Sequence, residues 1–284
     1  MTQGTGIMMQ QRAGRRTTWL LLLPVLVFLA VFFLVPLGQV LYFSVMDPTF
    51  TLHHYLAFFT DDFYWRVLFG TFRTTAIVTA FSLLLSYPLS YAIVRLGGGF
   101  ATAMLLIVAM SFWTSFLVRT FAWMVILGNN GPLRAILATM GWTPPPELLF
   151  TRFSSTLAMV HLLVPFMVLA LYSVMKKIDY TLVRAAISLG ATPFEAFRRV
   201  FLPLSAPGIV NGCTLVFIMC LGFYVTPVLL GSPREQMIAG LIGTQIEEFL
   251  EFGEASATAV ILLCVTMTVF AIYNRFVGLD KLWG

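Results

Sequence analysis

Residues 153–175 read FSSTLAMVHLLVPFMVLALYSVM and contain no Asp, Glu, Lys or Arg. An α-helix needs about 20 apolar residues to cross the hydrocarbon core of a bilayer, so this run is long enough to span it. Backbone groups in lipid must hydrogen-bond within the segment, which makes the run a helix. Similar charge-free runs recur along the chain. They predict six crossings, near 19–43, 72–94, 101–127, 154–175, 208–230 and 255–275.

The composition of the 284 residues supports an all-α integral membrane protein. Hydrophobic residues make up 59% of the chain and charged residues 10%, with a mean hydropathy of +0.91. Soluble domains have about 25% charged residues, so too little polar surface is present to cover a water-soluble particle. This excludes secreted domains, soluble enzymes and disordered chains. The three cysteines lie in apolar stretches without CxxC spacing, so neither a metal nor a cofactor is expected.

The charges between the predicted spans set the orientation. With the N-terminus inside, the inner segments hold eleven Lys or Arg against three Asp or Glu, and the outer segments hold four against nine. Cytoplasmic loops carry an excess of positive charge, which places both termini in the cytoplasm, as tails 1–18 and 276–284. The apolar run that follows Arg16 is longer than the core of a signal peptide, so an uncleaved first span is expected.

The inner loop 176–206 continues from the opening run as KKIDYTLVRAAISLGATPFEAFRRVFLPLSA. Asp179 is a helix cap for Tyr180–Leu189, and Gly190 suits a helix end with positive φ. Thr192 and Glu195 have the spacing of a capping box, with proline between them at the first helical position. The second helix is expected to stop before Pro203.

An aromatic stripe marks this second helix, because Phe194, Phe197 and Phe201 fall on one face at helical spacing. One interpretation is an interfacial helix that lies on anionic lipid. The other is a rigid knob that seats in the groove of a soluble partner.

The same loop resembles the EAA loop of ABC importer permeases. That family has Glu-Ala-Ala, three residues, Gly, and a Leu-Pro further on. Ala185, Ala186, Gly190 and Leu202-Pro203 match it, while Arg184 stands at the family's Glu position and reverses its charge. The resemblance implies an ATPase-coupling loop. Its residues would be Arg184, Ala185, Ala186, Gly190, Ala191, Thr192, Pro193, Phe194, Glu195, Phe197, Arg198, Val200, Phe201, Leu202 and Pro203.

Four further segments, 112–123, 127–131, 224–231 and 242–246, resemble permeases of the spermidine/putrescine type, and most closely their first permease subunit. The resemblance implies the type I importer permease fold, with a core over 67–275. It implies as partners a second permease subunit, two ATPase subunits, a solute-binding protein and membrane lipid, and no nucleic acid. The sequence has no GxxxxGK[ST] phosphate loop, so a non-catalytic subunit is expected.

The solute stays open at this point. The resemblance favours a polyamine, and an amino-acid-like compound or an organic anion is the alternative. An ion-coupled transporter or a membrane-embedded enzyme is the remote alternative. Candidates for the translocation path are Tyr87, Trp113, Arg119, Trp123, His161 and Tyr224, each of which also suits helix packing or, for Arg119, a position at the headgroups. Glu235, Glu247, Glu248 and Glu251 are candidates for docking the binding protein, unless they serve only to set the topology.

Overall fold

The computed structural model describes residues 22–47, 49–232 and 236–277, and these residues are almost entirely helical. The predicted tail 1–18, the start of the first predicted span, and residues 278–284 lie outside them. In chain order the helices are α1 Leu22–Phe43, α2 His53–Thr60, α3 Asp62–Leu96, α4 Gly98–Trp113, α5 Phe116–Leu127, α6 Pro132–Thr139, α7 Arg152–Met175, α8 Tyr180–Ser188, α9 Pro193–Leu221, α10 Val225–Leu230, α11 Ile238–Glu247 and α12 Phe252–Val277.

Five of these helices, α1, α3, α7, α9 and α12, are long and apolar enough to cross a membrane. A sixth crossing results if α4 and the run from Phe116 to Thr139, which are bent by 96° at their junction, count together as one span. The helical fold predicted from the charge-free runs is therefore confirmed, with differences in the third and fifth spans.

The third span, expected as one helix over 101–127, is broken at Thr114–Ser115. Both residues adopt extended backbone angles between α4 and α5. Ser and Thr have low helix propensity because their hydroxyls compete for backbone hydrogen bonds. One turn earlier, the Ser111 hydroxyl already donates to the Val108 carbonyl at 2.7 Å.

The fifth span differs from its expected bounds of 208–230 at both ends. The coupling-loop helix does not stop before Pro203 but continues as α9 to Leu221. A π turn over Phe197–Phe201, with the Leu202 N–H bonded to the Phe197 carbonyl, lies just ahead of the proline. Such a turn shifts the hydrogen-bond register by one residue and leaves room for a residue without N–H. At the far end Gly222 closes α9, and α10 follows as a separate helix.

The core is built around α7, which packs against α3 and α9. Gly208 and Gly212 let α9 approach Val174 and Met167, since an added Cβ would lie 3.0 Å and 2.6 Å from those side chains. This is the small-residue packing of membrane helices. Helix α3 carries a stripe of buried hydroxyl side chains, of which Ser86 and Ser90 bond to carbonyls of α7. Its members are Thr71, Thr74, Thr75, Thr79, Ser82, Ser86 and Ser90.

Candidate functional site

The inner segment 179–203 forms the structured corner that its sequence predicts. The Thr181 N–H donates to the Asp179 carboxylate at 2.9 Å, and this bond holds the pKa of Asp179 below its usual value. Helix α8 ends at Ser188, and Gly190 follows with φ +94°. The predicted cap and the predicted positive φ are both confirmed.

The capping box that starts α9 is also confirmed. The Glu195 N–H donates to Thr192 Oγ1 at 3.3 Å, and the Thr192 N–H donates to Glu195 Oε2 at 3.0 Å. Pro193 occupies the first helical position, where its missing N–H costs nothing. The chain therefore turns from α8 into α9 with its backbone groups satisfied locally.

Aromatic packing fixes this corner to the membrane helices. The rings of Phe197 and Phe201 are stacked with centroids 6.0 Å apart, and Tyr91 of α3 meets them edge-on at 5.3 Å and 4.9 Å. Phe201 is 1% exposed. One turn away, the hydroxyls of Tyr87 and Ser205 are 2.9 Å apart. The start of α9 is thereby joined to α3.

The aromatic stripe predicted from helical spacing is split by the π turn. Phe197 and Phe201 point into the protein, whereas Phe194 is 70% exposed. The wider turn rotates residues on its two sides away from the common face that α-helical spacing predicts. Leu189, five residues before Phe194, is 90% exposed, and we call these two exposed apolar side chains the apolar tip of the corner.

Arg184 stands where the EAA loop of ABC importer permeases has Glu, and it is exposed on α8. Its guanidinium carbon lies 5.8 Å from the centroid of the Tyr180 ring, and that of Arg95 lies 4.6 Å from the same ring. The Arg95 contact joins the end of α3 to α8, whereas the Arg184 contact lies within α8. The remaining coupling candidates differ in exposure. Ala185, Gly190, Thr192, Pro193, Arg198 and Pro203 are exposed, and Ala186, Ala191, Glu195, Val200 and Leu202 are half-buried.

Two helix breaks meet around a cavity of about 380 Å³ on the other side of the core. Phe116 and Arg119 line it from the start of α5, and Gly222 and Tyr224 line it from the break between α9 and α10. The Nε of Arg119 is buried and has no hydrogen-bond partner among the residues that the structure describes. Irregular backbone at membrane depth is tolerated where it lines a cavity or is buried in protein.

The path candidates fall into two groups. Arg119 and Tyr224 line this cavity. His161 and Trp123 bond to each other, since Trp123 Nε1–H donates to His161 Nδ1 at 3.2 Å, a partner that the sequence did not reveal. The other two lie elsewhere. Tyr87 belongs to the packing of α3 against α9, and Trp113 is 84% exposed at the end of α4.

The acidic outer candidates lie at the junction of α11 and α12. Glu247, Glu248 and Glu251 are exposed, and the Tyr224 hydroxyl donates to Glu247 Oε2 at 3.2 Å. Glu235 lies outside the described residues. Sequence reasoning missed Leu250, which is 68% exposed with φ +58°. A leucine rarely adopts this conformation, and nothing in its sequence neighbourhood marks it.

Within the described ranges, no group of three or more His, Cys, Asp or Glu side chains is placed to hold a metal ion.

Sequence reasoning also missed the roles of Tyr91, Tyr180 and Arg95, because their contacts join residues far apart in the chain.

Comparison of the chain with models of protein families finds no match. Among curated proteins, a spermidine/putrescine transport system permease protein PotB of Haemophilus influenzae is 32% identical over 263 residues, covering 90% of each chain. The PotB protein of Escherichia coli K12 is 30% identical over 82% of this chain and 84% of its own. The inner membrane ABC transporter permease protein YdcU of E. coli K12 is 27% identical over 84% and 79%.

Two kinds of solved structure share the fold. A bacterial alginate ABC transporter, in complex with an alginate-bound periplasmic protein, matches with a TM-score of 0.77 at 17% identity over 94% of this chain and 95% of its own. The MetNI methionine ABC transporter in an inward-facing conformation matches with a TM-score of 0.56 at 19% identity, over 75% and 94%. At these identities the likeness concerns the fold alone.

Proposed function

The chain belongs to the family of spermidine/putrescine-type ABC importer permease subunits, and from this membership we propose that it forms half of the translocation pathway for a polyamine. The observation that carries the proposal is the 32% identity to the H. influenzae protein, which extends over 90% of both chains. The choice of a polyamine as solute rests on the name of this relative. The fold of the chain supports the proposal of an ABC importer permease.

The apolar tip of the inner segment is the proposed docking point for an ATPase subunit. Leu189 and Phe194 are largely exposed, although the segment that carries them is held rigidly by its caps and by Tyr91. Burying a large apolar side chain stabilises by about 1.5–3 kcal/mol, so a partner groove that covers both gains a substantial contact. Movement of the ATPase would then pass directly into α9.

The proposed assembly has this chain, a second permease subunit, two ATPase subunits that hydrolyse ATP, and a solute-binding protein outside. We place it in the bacterial inner membrane with both termini cytoplasmic, because the basic residues of the loops concentrate on that side. The permease core is proposed to extend over 67–275.

The outer surface proposed for the binding protein combines charge with shape. The exposed Glu247, Glu248 and Glu251 lie within three residues of the strained and exposed Leu250. Backbone strain of this kind persists where the surrounding structure enforces it and often marks binding sites. Glu235 belongs to the same proposal on the basis of its sequence position.

A second candidate solute class is favoured by Arg119. A buried guanidinium Nε without a partner in the cavity beside Tyr224 suits a carboxylate better than a polycation. The second candidate is therefore an amino-acid-like compound or an organic anion, carried by the same machinery.

Uptake by the complete transporter in proteoliposomes separates these solutes. The polyamine proposal expects ATP-dependent uptake of labelled spermidine, with competition by putrescine and none by glutamate or citrate. Competition by the carboxylates alone would replace the polyamine with the second class. Absence of ATP-dependent uptake for every solute tested, by a complex that hydrolyses ATP, would contradict both.

A pair of matched substitutions tests the two docking surfaces. Phe194→Asp is expected to lose the ATPase during purification and to retain binding-protein affinity. Leu250→Asp, the same kind of change on the opposite side, is expected to do the reverse. Equal behaviour of the two variants in both assays would contradict the assignment of surfaces.

A further inference from the structure

One face of α3 changes from basic to apolar along its length. Arg66, Gly70 and Arg73 follow one another at helical spacing and continue as Ile77, Phe81 and Leu85. The arginines line a cavity of about 950 Å³ together with Arg152, the first residue of α7. Among the described residues that line it, three arginines stand against one carboxylate, that of Asp62. The lining is therefore basic, on the side of the membrane where the predicted segments hold mostly acids.

The apolar half of the face forms a second groove with α7. Ile77, Phe81 and Leu85 line a space of about 340 Å³ with Phe153 and Leu157. Arg152 lines both spaces, so the groove and the basic cavity adjoin at this residue. From Arg73 to Leu85 the helix rises about 18 Å. This is close to half of a hydrocarbon core of about 30 Å.

A tryptophan marks the depth of the basic cavity. Trp65 lines it and donates its indole N–H to the Phe59 carbonyl at 3.1 Å. Tryptophan is enriched at the level of lipid headgroups. The cavity therefore lies where a lipid phosphate lies, and the groove lies where its acyl chain lies.

We infer that α3 and α7 form a binding site for one anionic phospholipid, with its phosphate at Arg66, Arg73 and Arg152 and an acyl chain along Ile77, Phe81 and Leu85. Arginine suits phosphate because its fork of N–H donors matches the phosphate oxygens. A protein partner would need an acidic group joined to an apolar segment of this length inside the bilayer. A phospholipid has both, as its phosphate and its acyl chain. The site requires a membrane-spanning chain and does not depend on the transported solute.

Lipid binding by the purified complete transporter tests the site. Native mass spectrometry is used to titrate phosphatidylglycerol and phosphatidylcholine onto the delipidated complex. A basic residue near an anionic surface contributes a factor of about five in affinity. Arg66→Gln and Arg73→Gln are each expected to weaken phosphatidylglycerol binding about fivefold, and to leave phosphatidylcholine binding unchanged.

Two control variants accompany these. Arg134→Gln removes an arginine that bonds to Asn129 and the Pro145 carbonyl, away from the cavity, and should leave lipid affinity unchanged. Arg73→Lys keeps the charge and should retain most of the affinity. Unchanged phosphatidylglycerol binding in both glutamine variants, or an equal loss in Arg134→Gln, would overturn the inference.

The occupant of the groove is identified separately. A photo-reactive amino acid at Phe81, in the complex within its native membrane, is expected to yield a phospholipid adduct. A cross-link to the second permease or to the binding protein would show that a protein covers the groove, and would also overturn the inference.

Discussion

The inner segment 179–203 and the paired breaks at Thr114–Ser115 and Gly222–Tyr224 differ in how they treat an interruption of the helix. In the inner segment α9 begins at Pro193 and continues through Pro203 to Leu221 without a gap. The third span contains no proline at Thr114–Ser115 and is bent there by 96°. Local caps and an aromatic cluster hold the first region. The second is joined by the Trp123–His161 hydrogen bond and by apolar contacts such as that of Phe112 with Phe166. We call the inner segment, at the proposed contact with the ATPase, the stiff region. We call the two helix breaks beside the cavity the jointed region.

The largest loss of unfolding free energy is expected from Phe201→Ala, which removes the buried ring that packs against Tyr91 in the stiff region. Truncating a fully buried phenylalanine costs about 3–5 kcal/mol. Phe194→Ala, in the same helix but exposed, should leave the unfolding transition in place. Denaturant unfolding of the purified subunit measures both. Similar midpoints for the two variants would show that the Tyr91 cluster does not hold α9.

Gly190→Val should destabilise the folded corner by about 1–3 kcal/mol, because the valine backbone is strained at φ +94°. An added Cβ meets no atom within 4 Å, so the cost comes from the backbone alone. Asparagine tolerates positive φ, and Gly190→Asn should therefore be milder. Retention of the ATPase during purification, together with uptake, is the measurement. Equal loss in both variants would point to contact with a partner at this position.

Thr192→Ala should destabilise the corner by about 1 kcal/mol through loss of the helix cap. Amide hydrogen exchange at Phe194, Glu195 and Ala196 should become faster, while exchange in the middle of α7 stays unchanged. Glu195→Gln keeps a residue that suits the capping box and should have little effect. Faster exchange in Glu195→Gln but not in Thr192→Ala would contradict this account of the corner.

The smallest effect belongs to the jointed region. Trp123→Phe removes the hydrogen bond to His161 and should cost about 0.5–1.5 kcal/mol in unfolding free energy. Trp113→Phe, at an exposed position, is the matched control and should cost nothing measurable. A larger loss of unfolding free energy in Trp113→Phe than in Trp123→Phe would show that the bond to His161 does not stabilise the jointed region.

The inner segment was predictable because its structure is decided by neighbours in sequence. Asp179, Gly190, Thr192 and Glu195 each act on backbone groups within three residues, and each was assigned its role from spacing alone. The helical character of the spans followed in the same way from charge-free length.

The jointed region was not predictable because its features depend on distant residues or on small energy differences. Hydropathy runs unbroken through Thr114–Ser115, and helix propensity there is weakly unfavourable rather than prohibitive. The partner of His161 comes from Trp123, on another helix. Continuity through Pro203 depends on a π turn that no residue in the sequence specifies.

The hydroxyl stripe on α3 has a consequence for biogenesis. During synthesis α3 reaches the membrane before α7 exists, and it must remain there with its polar groups satisfied. Thr71 and Thr79 donate to the carbonyls of Val67 and Thr75, one turn back on the same helix. Ser86 and Ser90 donate instead to carbonyls of α7. The hydroxyls of Thr71 and Thr79 thus have their acceptors before α7 inserts, whereas those of Ser86 and Ser90 gain acceptors only when α7 inserts beside them.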